Sequence, residues 1–192
     1  PGRFSRFSGG SECVACPTGK YNQFEGRDGE VSCKNCPKGR YNSLEGSESL
    51  AYCLPCPVGR YADDVGLDLC FLCSLGKSLT FEKSESKNDC VYCKAGEYAG
   101  NDRSDCSSCP RGTYSGARAT SCIDCGRGRY TVSRNSTSEF DCLTCSEGKF
   151  SEVTAATGEC QSCSFGTYNP EVGSTSVTAC IACGIGRFNP AI

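Results

Sequence analysis

Ten Cys-x-x-Cys pairs constrain the fold of this chain more than any other feature of its sequence. They contain all twenty cysteines of the 192 residues, and successive pairs begin 16 to 20 residues apart, at Cys13, Cys33, Cys53, Cys70, Cys90, Cys106, Cys122, Cys142, Cys160 and Cys180. A cysteine content above about 8–10 % is typical of disulfide-stabilised scaffolds, which persist in oxidising compartments. The sequence therefore predicts an extracellular or cell-surface chain, secreted through the oxidising pathway.

The apolar composition also favours cross-links over a packed core. Isoleucine, leucine, valine and phenylalanine make up 31 of the 192 residues, and tryptophan and methionine are absent. An ordinary packed domain has at least about 20 % of these four residues. The net charge is −2, which argues against a polyanion partner, and no apolar run approaches the roughly 20 residues that span a bilayer. We expect no nucleic-acid partner and no membrane insertion in this segment.

A glycine and an aromatic residue mark each repeat. The third residue after every pair is a glycine, at Gly19, Gly39, Gly59, Gly76, Gly96, Gly112, Gly128, Gly148, Gly166 and Gly186. Two residues later an aromatic follows in nine repeats, at Tyr21, Tyr41, Tyr61, Tyr98, Tyr114, Tyr130, Phe150, Tyr168 and Phe188, whereas the tenth has Ser78. The glycine predicts a positive φ angle or a backbone too close for a Cβ. We expect the ring to begin a short strand and to cover a disulfide.

The run Cys-Pro-Lys-Gly-Arg-Tyr at residues 36–41, with counterparts at 16–21 and 109–114, resembles the ephrin-receptor-like cysteine-rich repeat. The signature is also similar to the first half of tumour-necrosis-factor-receptor cysteine-rich modules, in the EGF-like superclass. The resemblance implies a small disulfide-rich repeat protein, in which tandem short β-hairpin or loop modules form an elongated rod with little helix and no large core. It implies little about a ligand, because such modules occur in receptors and adhesion proteins alike.

The motif divides the chain into nine complete repeats between two partial ones, and we expect a longer array beyond both ends. The partial repeats are 1–15 and 183–192. The complete repeats are 16–35, 36–55, 56–72, 73–92, 93–108, 109–124, 125–144, 145–162 and 163–182.

The resemblance to the receptor half-module also implies a disulfide ladder, in which the second cysteine of each pair bonds to the first cysteine of the next. The implied bonds are Cys16–Cys33, Cys36–Cys53, Cys56–Cys70, Cys73–Cys90, Cys93–Cys106, Cys109–Cys122, Cys125–Cys142, Cys145–Cys160 and Cys163–Cys180. Cys13 and Cys183 would then bond to cysteines outside the segment. The alternative joins consecutive pairs first to first and second to second, which gives five larger units.

Zinc is the chemical competitor of disulfides, because two Cys-x-x-Cys pairs at this spacing also match a zinc site of four cysteines. Ten pairs in a row and the polar loops between them favour disulfides, so we expect no metal and no cofactor. The chain has no histidine, which removes the commonest general base. Asp63 and Asp64 have the carboxylate side chains that general acid–base catalysis uses, but a solvated turn explains these two residues more simply. We predict that the chain is not an enzyme.

Two surface features bear on interactions. Asn135-Ser136-Thr137 is an N-glycosylation sequon, so Asn135 is a candidate for an N-glycan. The residue between the marking glycine and the aromatic is basic at Lys20, Arg40, Arg60, Lys77, Arg129, Lys149 and Arg187. These side chains would form either a cationic stripe or an outward strand position that discourages edge-to-edge aggregation.

No repeat stands out as specialised for binding, which favours a structural role: a stalk, spacer or filament subunit of a cell surface or matrix. Its partners would be itself or neighbouring chains of an extracellular assembly. The alternative is a ligand-binding receptor or adhesion ectodomain, and its best candidate surface is the apolar stretch 67–75. In the same repeat, we expect Leu79 or Phe81 to replace the ring missing at Ser78.

Overall fold

The chain folds into a series of two-stranded antiparallel hairpins. The structure, a computed structural model, describes residues 1–7 and 12–187, so Phe188 and the rest of 188–192, half of the last partial repeat, lie outside the described residues. Each odd-numbered strand pairs with the next even-numbered one. The strands are β1 (Arg3–Ser5), β2 (Cys13–Ala15), β3 (Lys20–Tyr21), β4 (Lys34–Asn35), β5 (Arg40–Tyr41), β6 (Leu54–Pro55), β7 (Arg60–Tyr61), β8 (Phe71–Leu72), β9 (Lys77–Ser78), β10 (Val91–Tyr92), β11 (Glu97–Ala99), β12 (Cys106–Ser108), β13 (Thr113–Tyr114), β14 (Ile123–Asp124), β15 (Arg129–Tyr130), β16 (Leu143–Thr144), β17 (Lys149–Phe150), β18 (Gln161–Ser162), β19 (Thr167–Tyr168) and β20 (Ile181–Ala182).

The sequence motif sets the register of each hairpin. In β5 and β6, Tyr41 lies opposite Leu54, the residue that follows the first cysteine of the next pair. The second cysteine of that pair, Cys56, then donates its backbone N–H to the carbonyl oxygen of Gly39, at 2.9 Å. Each hairpin therefore runs from a marking glycine to the next Cys-x-x-Cys pair.

Variation in loop length is absorbed by a short 3-10 helix. Such helices occur in the described chain at Glu30–Ser32, Leu50–Tyr52, Lys87–Asp89, Glu139–Asp141 and Val177–Ala179. Each ends directly before the first cysteine of a pair, and each lies in a loop whose disulfide joins cysteines 17 residues apart. The shorter loops, with separations of 13 to 15, have none among the described residues.

The interior consists mainly of disulfides and of a few small or polar side chains, one position of which is buried in every complete repeat. Tyr41 and Leu67 pack against a cluster of Cys56, Ala62 and Cys70, so a ring does cover the disulfide of the next repeat, as expected. The deeper position is the residue after the aromatic, which the sequence did not single out. It is buried in every complete repeat, at Asn22, Asn42, Ala62, Leu79, Ala99, Ser115, Thr131, Ser151 and Asn169.

The contacts divide the chain into two compact units. One comprises Pro1–Tyr92 and Gly100–Asp105, and it contains β1 to β10. The other comprises Cys93–Ala99 and Cys106–Ile192, and it contains β11 to β20. Within each unit the same hairpin recurs. The expected class, a small disulfide-rich repeat protein of tandem hairpins, is confirmed.

Candidate functional site

The cysteines of the described chain form nine disulfides, each closing the loop of one hairpin. The bonds are Cys16–Cys33, Cys36–Cys53, Cys56–Cys70, Cys73–Cys90, Cys93–Cys106, Cys109–Cys122, Cys125–Cys142, Cys145–Cys160 and Cys163–Cys180. This is the ladder arrangement and not the crossed one. In the chain-entropy picture, closing a loop of about 15 residues contributes about 3 kcal/mol, which suits a chain with so little core.

Two cysteines stay outside the ladder. Cys13 is exposed and Cys183 is half-buried, and both are free thiols in the structure. Because the other eighteen cysteines are in disulfides, too few thiolates remain for a zinc site of four cysteines. In the described residues no three histidine, cysteine or acidic side chains are grouped as metal ligands would be. Bonding of Cys13 and Cys183 to cysteines outside the segment stays a prediction.

Neighbouring repeats are joined mainly by backbone hydrogen bonds. Gly19 donates its N–H to the carbonyl oxygen of Asn42 in the next repeat, at 2.7 Å, and Asn42 donates to Leu67 of the repeat after that, at 3.1 Å. Gly66 donates back to Cys36, at 2.8 Å. Equivalent bonds recur along both units. We call this set of contacts the repeat junction; because it consists largely of backbone groups, it is insensitive to most side-chain changes.

The marking glycine also contacts the second repeat along. A Cβ added to Gly39 would lie 2.5 Å from the carbonyl oxygen of Lys83, and Gly39 has a φ angle of 74°. Both reasons that predict a glycine here are therefore present. The same overlap with a backbone carbonyl occurs for Gly2 with Gly46, Gly19 with Gly66, Gly59 with Asp102, Gly96 with Asn135, Gly112 with Ala155, and Gly128 with Gly173.

The residue that closes the junction has a left-handed backbone. We call it the turn residue; its φ angle lies between 53° and 72°, and in successive complete repeats it is Gly26, Gly46, Gly66, Lys83, Arg103, Arg118, Asn135, Ala155 or Gly173. From the second complete repeat on, its N–H bonds to the carbonyl oxygen of the second cysteine of a pair in the preceding repeat, as Lys83 does to Cys56 at 2.7 Å. In the repeat of Arg103 the guanidinium makes that contact instead, with the carbonyl oxygen of Cys73.

Buried asparagines add side-chain bonds to the junction. The Asn42 amide nitrogen donates to the carbonyl oxygen of Lys20 in the preceding repeat, at 3.0 Å, and to Ser47 Oγ, at 2.8 Å. Its Oδ1 accepts the N–H of Leu44, at 3.1 Å. All the polar groups of this buried side chain are thus used, which removes the cost of burying it.

Six of the seven basic positions contact groups of their own repeats. Three form ion pairs at 2.8 Å with a glutamate ten residues later: Lys20 with Glu30, Arg129 with Glu139, and Lys149 with Glu159. Arg40 and Arg60 donate to the carbonyl oxygens of Cys53 and Cys70, at 2.7 and 3.0 Å, and the Lys77 ammonium lies 4.5 Å from the centroid of the Tyr92 ring. These side chains therefore brace the disulfide loops, which weakens the case for a cationic stripe.

The ion pairs shift the affinities of their groups for protons. The hydrogen bond and the charge of Lys149 lower the pKa of Glu159, and Glu159 in turn raises the pKa of Lys149. Lys20 lowers the pKa of Glu30 in the same way. All of these groups lie near solvent, so the pairs contribute little to stability.

The apolar stretch around residue 67 is largely on the surface. Leu69, Phe71, Leu75 and Phe81 have exposed fractions of 61 %, 49 %, 68 % and 50 %. Leu79 is buried against Cys73, Cys90 and Tyr61. Of the two residues expected to compensate for Ser78, only Leu79 enters the interior, and it does so at the position after the ring.

The two remaining sequence candidates lie in turns. The Asp64 carboxylate accepts the N–H of Val65, at 2.8 Å, so it caps a turn next to Asp63. Asn135, the sequon asparagine, is exposed and is the turn residue of its repeat. No sequence pattern indicated that second role, because the turn residue differs from repeat to repeat.

These features define the chain as a tandem array of disulfide-closed hairpins joined by a recurring backbone junction. A family model described as tyrosine-protein kinase ephrin type A/B receptor-like matches residues 2–53, 47–90 and 96–142, which together cover more than half of the chain. The chain belongs to this ephrin-receptor-like family of cysteine-rich repeats. No curated protein matches it.

The family and the disulfides together point to an extracellular location. Within residues 1–7 and 12–187, no helix has the length and apolar character needed to span a bilayer.

Proposed function

We propose that this chain is a structural element of an extracellular surface or matrix, such as a stalk, spacer or filament subunit, with no catalytic role. The observation that carries the proposal is the repeat junction. Each repeat contacts the next two through its backbone, as Gly39 does with Ala62 and Lys83. Such coupling between repeats that are close in sequence is typical of solenoid proteins, in which length grows with repeat number.

The side chains fit the same role. Buried polar groups such as those of Asn42 serve the junction, and basic groups such as that of Arg60 brace the loops. Little of the recurring chemistry is therefore left for recognising a foreign ligand.

Association with further copies of the chain is part of the proposal. An aromatic ring faces an aliphatic side chain across several hairpins, in the pairs Tyr41–Leu54, Tyr114–Ile123, Tyr130–Leu143 and Tyr168–Ile181. The aliphatic members are about half exposed. A second copy presents the same pattern at the same spacing, so these pairs are suited to lateral association.

Small-angle scattering tests the structural role. A compact domain of this length has a radius of gyration of about 16 Å. Ten stacked repeats would instead form a rod roughly 100 Å long, and its radius of gyration would be about 30 Å. We expect the larger value under non-reducing conditions, together with mass that increases with concentration in analytical ultracentrifugation. A compact particle would refute the rod.

A receptor or adhesion ectodomain is the second candidate, and the exposed side chains of Leu69, Phe71, Leu75 and Phe81 favour it. Clustered apolar exposure of this kind is typical of interaction sites. Replacing Phe71 and Phe81 by serine separates the two roles. Loss of binding to a cell surface with unchanged self-association would support the receptor, whereas unchanged cell binding would favour the structural role.

A further inference from the structure

We propose that Asn135 carries an N-linked glycan, and that the glycan is attached before the surrounding repeat closes. The inference rests on the secretory route but not on the rod. The sequon lies inside the loop that the Cys125–Cys142 disulfide closes. In the folded repeat, the groups of the sequon that the glycosylating enzyme must bind are already held by other residues. Attachment and closure of this loop therefore follow a fixed order.

The backbone of the sequon is held by two preceding repeats. Asn135 donates its N–H to the carbonyl oxygen of Cys109, at 3.1 Å, and the carbonyl oxygen of Ser136 accepts the N–H of Ser115, at 3.1 Å. The carbonyl of Asn135 lies over Gly96, so closely that a Cβ there would overlap it. Asn135 also has a φ angle of 58°. Releasing this segment would open its junctions with both preceding repeats.

The side chains of the sequon are engaged as well. Ser136 is buried, with its Oγ 3.3 Å from Thr131 Oγ1. Thr137 directs its hydroxyl to Asp141 Oδ2, at 3.2 Å, and its N–H to the same oxygen, at 2.6 Å. These backbone and hydroxyl bonds lower the pKa of Asp141. The transferase recognises the asparagine amide and the hydroxyl two residues later together, and here that hydroxyl is already bound.

The chemistry itself requires only the amide and an activated sugar. Asn135 Nδ2 forms a bond to the anomeric carbon of a lipid-linked oligosaccharide pyrophosphate. The bond between that carbon and the pyrophosphate oxygen breaks, the lipid pyrophosphate leaves with the electron pair, and one amide proton passes to a base of the transferase. Nothing is oxidised or reduced.

The closed repeat has space for the attached sugar. Asn135 lines an open groove of about 480 Å³ together with Val132, Phe140 and Leu143. Phe140 is 95 % exposed, so the apolar face of the first sugar has a surface to cover. The junction uses the backbone of Asn135, which leaves the amide available for modification. A glycan is thus compatible with the folded state, although its attachment to that state is not.

The test offers the same protein to the transferase in two states. The full chain is produced without glycans in an oxidising host, and half of it is reduced and alkylated. Both forms are incubated with microsomal oligosaccharyltransferase and lipid-linked oligosaccharide, with an Asn-Ser-Thr peptide in every tube to verify activity. Because the folded form must first open locally, we expect it to gain glycan mass at least about ten-fold more slowly than the unfolded form.

An Asn135→Gly variant is the matched control, since glycine is the turn residue in other repeats, such as Gly46 and Gly173. It should fold normally and gain no mass in either state. An unfolded wild-type chain that stays unmodified would overturn the site. Equal rates for folded and unfolded chains would overturn the order of events.

Discussion

Gly112 and Ala155 belong to different repeats, two steps apart, yet the backbone carbonyl of Ala155 occupies the space that a Cβ on Gly112 would need. The contact explains the glycine that follows the Cys-x-x-Cys pair here and in five further repeats, at Gly19, Gly39, Gly59, Gly96 and Gly128. It also means that each repeat is positioned by two neighbours and not by one, which makes unfolding of a single internal repeat costly for the others in its unit.

Gly112→Ala should destabilise the chain more than Gly166→Ala. Both glycines have positive φ angles, 81° and 78°, but a Cβ on Gly166 would meet nothing within 4 Å among the described residues. The two variants share the backbone cost of about 1–2 kcal/mol, and only Gly112→Ala adds a clash of about 1–3 kcal/mol. Chemical unfolding under non-reducing conditions measures the difference, and equal losses would contradict the junction.

Ala155→Gly should increase the free energy of unfolding by about 1 kcal/mol, because alanine is strained at this φ angle of 53°. The adjacent variant Ala156→Gly is the control. Ala156 lies in a parallel bridge to Tyr130 and has no positive φ angle, so glycine there should lower stability by about 0.5–1 kcal/mol. The two thermal shifts should have opposite signs; shifts of the same sign would argue against a strained turn residue.

Leu79→Ala should cost about 2–4 kcal/mol, as expected for truncating a buried leucine. Phe81→Ala in the same loop should change stability by less than about 0.5 kcal/mol, because that ring is half exposed. Urea unfolding of both variants identifies the residue that compensates for Ser78. A larger loss for Phe81→Ala would reverse the assignment.

Lys149→Met should raise the pKa of Glu159 towards its ordinary value of 4.5, because the hydrogen bond and the positive charge that lower it are lost. Since the pKa of Glu159 is lowered on folding, its small contribution to stability is present above pH 4.5 and is lost as the pH falls through the folded value. Carboxyl NMR titration of both proteins gives the shift. Lys94→Met, a lysine outside the pair, should leave Glu159 unchanged.

For the 192-residue chain alone, non-reducing peptide mapping should find nine ladder disulfides, and alkylation should label two thiols, Cys13 and Cys183. Tryptic cleavage after Lys149 opens the loop between Cys145 and Cys160, so this bond is read directly from the linked peptides. A crossed arrangement would instead link Cys145 to Cys125 and Cys160 to Cys180. Twenty labelled thiols after chelation would reinstate the zinc alternative.

The hairpins were predictable because their signals are local and repeated. The sequence spacing of Cys36, Gly39 and Tyr41 recurs in nearly every repeat, and the family resemblance implied the pairing. The buried residue after the ring was not predictable, because the side chains at this position differ in polarity from repeat to repeat, as at Asn42, Ala62, Leu79 and Thr131. What they share is a partner in the next repeat, and single-sequence patterns do not contain such partners.

The turn residue escaped prediction for the same reason. Lys83 and Arg118 are poor candidates for a left-handed backbone by residue type, and only the carbonyl of a preceding cysteine places them there. The basic positions were predictable in part: their strand location was clear, but the bond from Arg40 to Cys53 depends on the loop closing above it.

The placement of the 3-10 helices has a practical consequence for engineering. The Glu139–Asp141 helix follows the turn residue and precedes the next pair, in a part of the loop that shorter repeats largely omit. Peptide tags or fluorophores inserted there would lengthen a loop that naturally varies, and they would leave the contacts between repeats intact. The equivalent position in every long repeat is a ready point of attachment along the array.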